Sequence, residues 1–155
     1  MRLARISRLV ATAAVMLAPA SPATSRIRLT GAVVVQDAWA RPAQAGASAG
    51  YLTLRNAGAR PDRLMGAASP WVERVELQTI TTTGAVVRMR PVVGGLEIGP
   101  AGTLKLAPGG YHLMLLGLKR QLAPGDRLPM TLQFETARPV KIYLAVGAPP
   151  VARGD

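Results

Sequence analysis

Cysteine is absent from the 155 residues, and histidine occurs only once. The lack of cysteine excludes disulfides, thiolate-bound metals, iron–sulfur clusters, a cysteine nucleophile and a lipid attached to an N-terminal cysteine. A single imidazole also excludes zinc sites that need two or three histidines. These absences remove most metalloenzymes and all cysteine hydrolases from consideration.

Aromatic and acidic residues are scarce as well. With one Phe, two Trp and three Tyr, the core must be mainly aliphatic, and a hydrophobic content of 49% is enough to build it. Eight acidic against nineteen basic residues give a formal net charge of +11. The basic residues are scattered instead of forming a stripe among aromatics, which argues against nucleic-acid binding and favours a basic surface that attracts acidic partners.

The N-terminal segment has the three parts of a secretory signal. Three arginines precede an apolar run of 12 residues, 9–20, and small residues follow at Ser21 and Ala23. The run is shorter than the roughly 20 residues that span a bilayer, so we interpret residues 1–23 as a signal peptide. The alternative is a short amphipathic helix of the mature protein. We expect a soluble protein that is periplasmic or otherwise exported.

After the apolar run, hydrophobic residues recur with the period of two that is typical of strands, and no window shows a helical period. The predicted strands are 33–39, 51–56, 74–81, 85–90, 103–106, 111–116, 128–134 and 140–146. Seven or eight short strands separated by turn residues predict an all-β, antiparallel sandwich or barrel. The length allows one domain, which we place at 32–147, followed by a tail at 148–155.

One pair of residues with metal-binding chemistry stands at strand spacing. His112 and Met114 are two positions apart, so on a strand both side chains point to the same face, about 6.5–7 Å apart. Imidazole together with a thioether suits copper, because soft sulfur prefers Cu(I). The alternative is a hydrogen-bonded histidine beside a methionine that fills the core.

A third candidate ligand comes from the preceding hairpin. If Thr83 and Gly84 form a two-residue loop, Met89 lies directly opposite Gln78, with Cβ atoms about 4.5–5.5 Å apart. A longer loop would shift this register, and core packing is the alternative role for Met89.

Several longer stretches point to a family. They are DAWARP (37–42), AGYLTLRNAG (49–58), DRLMGAASP (62–70), RVELQ (74–78), VVRMRPV (86–92), GGLEIGPAGTLKLAPGGYHLMLLGLK (94–119) and GDRLPMTLQFE (125–135). From about residue 36 to residue 146 the chain resembles the periplasmic copper(I) chaperones called PCu(A)C or DUF461 proteins. The resemblance implies a cupredoxin-like β-sandwich and a motif of a histidine or methionine, a methionine and a final His-x-Met.

The resemblance implies that Met89, His112 and Met114 bind Cu(I), and it places Gln78 where the family has its first ligand. An amide oxygen is a hard donor and a poor ligand for Cu(I), so we expect a three-ligand site. Such a site binds copper more weakly, admits water, or leaves room for a partner's ligand. Of the other methionines, Met130 belongs to an apolar strand face, and Met65 is the alternative fourth ligand.

The function implied by the resemblance is that of a copper chaperone, not an enzyme. Its acceptor would be the dinuclear copper centre of cytochrome c oxidase, reached directly or with a thioredoxin-like copper-transfer protein. The alternative is a divergent member that has lost metal binding and serves as a protein-interaction module. A hydrolase that uses His112 with a serine is disfavoured. The letters GASAG at 46–50 fit the GxSxG pattern around Ser48, but that elbow needs a strand followed by a helix, and no window here shows a helical period.

Overall fold

The structure is a computed structural model that describes residues 32–150, so the predicted signal peptide at 1–23 lies outside the described residues. Ten strands and no helix occupy the described part of the chain. The strands are β1 (Val33–Ala40), β2 (Ala47–Asn56), β3 (Asp62–Ala68), β4 (Val72–Thr83), β5 (Val86–Pro91), β6 (Leu96–Ile98), β7 (Thr103–Leu106), β8 (His112–Leu118), β9 (Arg127–Phe134) and β10 (Val140–Val146). The predicted all-β class is confirmed.

The strands follow the order β5-β4-β8-β2-β1-β10-β9-β3-β6, and β7 pairs separately with β2. β3 also packs against β4, and β6 against β7, so the two halves of this order face each other. The strands pair antiparallel, as predicted, except at one place, where β1 runs parallel to β10. That contact joins the first and last strands, whose relative direction no local turn sets.

The core between the layers is aliphatic, as the composition predicts. Its largest fully buried side chains are Leu52, Leu54, Leu64, Ile98, Leu106, Leu113, Leu115, Leu122, Leu128, Met130, Leu132 and Leu144. Met130, at 1% exposure, therefore packs in the core, as its strand face predicts.

The sequence pattern does not predict two of the observed strands, β3 and β6. β6 has only three residues, and β3 breaks the alternation in two ways. Its register shifts between Leu64 and Gly66, and its first residue is the buried Asp62. The Asp62 carboxylate accepts hydrogen bonds from the backbone N–H groups of Arg63 (2.8 Å), Thr136 (2.9 Å) and Ala137 (3.0 Å). This carboxylate fastens the β9–β10 turn to β3.

A bulge in β1 changes which face Trp39 occupies. Val33 and Val35 point into the core, so strict alternation would also send Trp39 there. Asp37 instead adopts a left-handed backbone (φ 50°), and the register with β2 shifts by one residue. Trp39 consequently pairs with Tyr51 on the face away from the aliphatic core, where both side chains are still buried and their rings lie 4.6 Å apart.

Candidate metal site

The turn before β8 orients the single histidine. Pro108 and Gly109 (φ 85°) form its corner, and the Gly110 N–H donates to the Ala107 carbonyl at 3.0 Å. Proline followed by a glycine with positive φ is typical of a type II turn. The turn leaves the Gly110 carbonyl 3.1 Å from Nδ1 of His112. A carbonyl only accepts hydrogen bonds, so Nδ1 carries the proton and Nε2 keeps its lone pair.

His112 is buried, with 3% of its surface exposed, although it begins a strand at the edge of a cavity. Burial and the bond to Gly110 fix the ring. A ligating histidine normally has its second nitrogen held in this way. The arrangement suits metal coordination through Nε2.

Met114 shares the face of His112, whereas Leu113 and Leu115 are fully buried on the opposite face. This alternation is the one that strand spacing predicts. Met114 lies between Glu76 on β4 and Ala49 on β2. The short side chain of Ala49 leaves space beside the thioether.

The register predicted for the β4–β5 hairpin was wrong by two residues. The loop consists of Gly84 and Ala85, so Met89 lies opposite Ile80 instead of Gln78. Gly84 has φ 62°, which the first position of a two-residue hairpin loop requires in a type II′ turn. A shift of two keeps every side chain on its face, so Gln78 and Met89 remain on the face of His112, with Gln78 directly opposite it.

Met89, His112 and Met114 line one open cavity of about 300 Å³. Its other walls include Arg41, Tyr51 and Ile80. Exposure to solvent differs among the three side chains. The His112 imidazole is buried, whereas Met89 is 58% exposed and lies at the solvent boundary.

The side chain of Gln78 runs along β4 towards Glu76, and it is not among the side chains that line the cavity. Its amide nitrogen donates to Glu76 at 3.0 Å, and Glu76 in turn accepts from Arg74 at 2.8 Å. The hydrogen bonds from Gln78 and Arg74 lower the pKa of the Glu76 carboxyl. Glu76 therefore stays ionised, and Arg74 balances its charge within the same strand.

Sequence reasoning missed Glu76, Tyr51 and Arg41 as neighbours of the site. Counting two residues back from Gln78 would have found Glu76. Tyr51 alternates with the core residue Leu52, which places it on the outer face, and Arg41 lies over its ring at 5.7 Å. Only the tertiary structure shows that Tyr51 and Arg41 line the same cavity as the candidate ligands and that Glu76 pairs with Met114 between β4 and β8.

The two other methionines of the described residues lie elsewhere. Met130 is in the core, and Met65 is exposed on β3, where its sulfur lies beside Gly95 and it takes no part in lining the cavity. Among residues 32–150 there is no group of three or more His, Asp or Glu side chains that would form an alternative metal site. No helix within that range is long and apolar enough to cross a membrane.

Comparisons with known proteins agree with the resemblance. A family model described as "Putative lipoprotein LpqE-like" matches residues 33–146. "Putative lipoprotein Lxx21020" of Leifsonia xyli subsp. xyli (strain CTCB07) is 33% identical over 138 residues, which are 84% of this chain and 82% of that protein.

Solved structures match over most of the chain as well. The copper-bound PCuAC domain from PmoF2 has a TM-score of 0.66 at 27% identity, covering 79% of this chain and 98% of that domain. Apo-DR1885 from Deinococcus radiodurans has a TM-score of 0.55 at 30% identity, covering 91% and 95%. The predicted cupredoxin-like fold is thus confirmed, and the chain belongs to the LpqE-like, PCuAC (DUF461) family.

Proposed function

We propose that this protein binds Cu(I) through Met89, His112 and Met114 and passes it to an acceptor outside the cytoplasm. The observation that carries the proposal is that these three side chains line the same cavity. An imidazole nitrogen and two thioether sulfurs match the preference of Cu(I) for soft and borderline donors. Two solved relatives, the PmoF2 domain and DR1885, are described as copper-bound and Cu(I) forms, which supports the choice of metal.

The ligand set suits transfer better than storage. Thioethers are neutral and are not protonated in water, and Met89 stands where an approaching molecule would meet it first. The protein would catalyse no reaction, and copper would be its cargo. We propose the dinuclear copper centre of cytochrome c oxidase as an acceptor, reached directly or with a thioredoxin-like copper-transfer protein. Residues 1–23 would direct export, and residues 32–147 would form the copper-binding domain.

Titration of the purified protein with Cu(I) against a chromophoric chelator tests the proposal. We expect one equivalent to bind at neutral pH and binding to weaken as the pH falls. The sign follows because a proton and the metal compete for the same imidazole lone pair, so acid releases copper. Failure to withdraw any copper from the chelator at neutral pH would contradict the proposal.

The second candidate is a member that has lost metal binding and acts as an interaction module. Gln78 favours it, because this side chain replaces the family's first ligand and bonds to Glu76 instead of entering the cavity. The same titration separates the two functions, since an interaction module would leave all copper on the chelator.

Restoring a ligand at position 78 should strengthen copper binding. Gln78 lies directly opposite His112 on the same face, so Gln78→His would bring a second imidazole beside the first without moving the backbone. We expect Cu(I) affinity to rise by at least about tenfold, a gain of about 1.4 kcal/mol. Competition titration of the variant against the wild type measures the change.

Two variants control this experiment. Gln78→Ala should leave affinity nearly unchanged, because the amide is held by Glu76 and is a poor Cu(I) ligand. Thr81→His places an imidazole on the opposite face of β4 and should give no gain. An equal gain from both histidine variants would show that added imidazoles bind copper independently of the site.

A further inference from the structure

The β4–β5 hairpin extends beyond the body of the sandwich. β4 pairs with β8 only from Val72 to Gln78, whereas its pairing with β5 continues to the end of the strand at Thr83. Every residue of β5 is exposed, and the strand ends the sheet order with β4 as its only partner among the described residues. One long edge of β5 is therefore open along the strand that carries Met89.

The hydrogen-bond pattern shows which backbone groups occupy this open edge. The Val92 N–H donates to the Leu77 carbonyl at 2.8 Å, so this pair faces inward between β4 and β5. Backbone direction alternates along a strand, so Arg88 and Arg90 also direct their backbone groups to β4. The backbone groups of Val87, Met89 and Pro91 then face the open edge. Proline at such a position fits, because the missing N–H would have had no partner in the sheet.

Met89 therefore offers both its backbone and its side chain to an incoming strand. Its N–H and C=O face the open edge, and its side chain lines the metal cavity. A residue paired directly with Met89 would place its own side chain on the cavity face, with Cβ atoms about 4.5–5.5 Å apart. That position is next to the most exposed of the candidate copper ligands.

The charge on the hairpin specifies what kind of strand fits. Residues 77–96 contain two arginines, Arg88 and Arg90, and no acidic residue. Neither arginine forms a salt bridge within the described range 32–150. Both alternate with Met89, so their side chains project from the opposite face of β5. The neighbours of a residue paired with Met89 would therefore face the two arginines.

We propose that the open edge of β5 is the docking site for the copper acceptor, which adds an extended segment to the sheet. The segment carries a soft copper ligand opposite Met89 and an acidic residue on each side of it, opposite Arg88 and Arg90. The inference rests on the proposed function, because copper is what the segment receives. A second copy of this chain fits less well, since pairing two β5 edges would bring the same two arginines against each other.

Synthetic peptides test this surface. The acidic probe is Thr-Val-Glu-Cys-Glu-Val-Thr, and its matched control carries lysine in place of both glutamates. Copper transfer from the Cu(I)-loaded protein is followed by copper–thiolate absorption under reducing conditions. At low salt we expect the acidic probe to take copper at least about tenfold faster than the basic probe, because complementary charge speeds encounter. The difference should shrink in about 1 M salt, where screening is nearly complete.

Methylation of single peptide nitrogens tests main-chain pairing. If the strands are antiparallel, the cysteine of the probe exchanges hydrogen bonds with Met89, so methylating its nitrogen should slow transfer. If they are parallel, the backbone nitrogen of the glutamate after the cysteine donates to the Met89 carbonyl instead, so methylating that nitrogen should slow transfer. Slowing by one methyl group but not the other is expected, and equal rates for both methylated probes would overturn pairing at this edge.

Two double variants complete the test. Arg88→Gln with Arg90→Gln should abolish the preference for the acidic probe while leaving Cu(I) affinity unchanged. Arg55→Gln with Lys105→Gln removes the same charge from exposed positions on β2 and β7 and should keep the preference. A preference that survives the first pair, or is lost equally with both pairs, would overturn the assignment.

The docking surface can fail separately from copper binding. With serine in place of the probe's cysteine, binding to the copper-free protein is followed through the NMR amide signals of Val87 and Met89. Shifts at these amides support the surface even if the protein withdraws no copper from a chelator. Unchanged amides in a protein that does bind copper, or a concentration-dependent dimer joined through β5, would refute the acceptor site alone.

Discussion

Replacing His112 by alanine should weaken Cu(I) binding by at least about 100-fold. Loss of a residue that merely orients a metal ligand costs 10–100-fold in affinity, so loss of a ligand should reach the upper end of that range. His112 supplies the only imidazole in the chain, and its ring is fixed by Gly110 with Nε2 available. Competition titration of the variant against the wild type measures the loss.

Burial of His112 calls for companion variants, because removing a buried side chain can also disturb the fold. Met89→Leu changes a side chain that is mostly exposed, so it should leave the thermal unfolding temperature nearly unchanged and still weaken binding. Met114→Leu should weaken binding as well. Met130→Leu is the matched control, since it removes a thioether from the core and should cost less than 1.5 kcal/mol of stability without any loss of affinity. Full stoichiometric binding by a triple variant of the proposed ligands would place copper elsewhere.

Replacing Asp62 by alanine should lower the free energy of unfolding by roughly 3 kcal/mol or more. The change removes the acceptor for three backbone N–H groups, and hydrogen bonds to a charged group contribute about 1.5–3 kcal/mol each. Asp62→Asn keeps one side-chain oxygen and should cost less, because Thr136 and Arg63 share the same oxygen while Ala137 uses the other. Urea unfolding of the three proteins gives the comparison.

The same residue should make stability depend on pH. Burial alone would raise the pKa of Asp62, but the hydrogen bonds from Thr136, Arg63 and Ala137 outweigh it and lower the pKa. The unfolded chain then binds a proton at higher pH than the folded chain does. The stabilisation is therefore complete above the ordinary aspartate value of about 3.9 and declines as the pH falls through the lower, folded value.

A comparison of variants isolates this contribution. The stability of Asp62→Asn should fall less below about pH 4 than that of the wild type, because the titrating group is gone. Asp37→Asn removes a carboxylate from an exposed position on β1 and should change stability by no more than about 0.5 kcal/mol. Parallel acid profiles of the wild type and Asp62→Asn would contradict the role assigned to Asp62.

The strand pattern and the aliphatic core could be predicted because alternation is a local property of an extended backbone. Side chains on neighbouring residues point to opposite faces whatever the strand pairs with. The spacing of His112 and Met114 therefore places them on one face, opposite Leu113 and Leu115, before any pairing is known. β3 was missed because its bulge and the buried Asp62 break the pattern.

Pairing between strands is harder to predict, as the β4–β5 hairpin shows. Thr83 and Gly84 form a plausible two-residue loop, but the structure uses Gly84 and Ala85, so that the glycine takes the first loop position. The resulting shift moves Met89 away from Gln78 and opposite Ile80. Because the shift is even, the prediction that both side chains share the face of His112 still holds.

The residues alone fix the parts of this protein that depend on neighbours in the chain. They specify the extended segments, the turn at Pro108 and Gly109 that aims a carbonyl at His112, and the spacing of two candidate ligands. Contacts between distant segments depend on which strands pair with each other and on the bulge in β1. The bulge at Asp37 turns Trp39 away from the aliphatic core and against Tyr51. The pairing of β4 with both β5 and β8 brings Met89 to the cavity of His112. These contacts depend on packing across the whole sandwich, which no short stretch of sequence specifies.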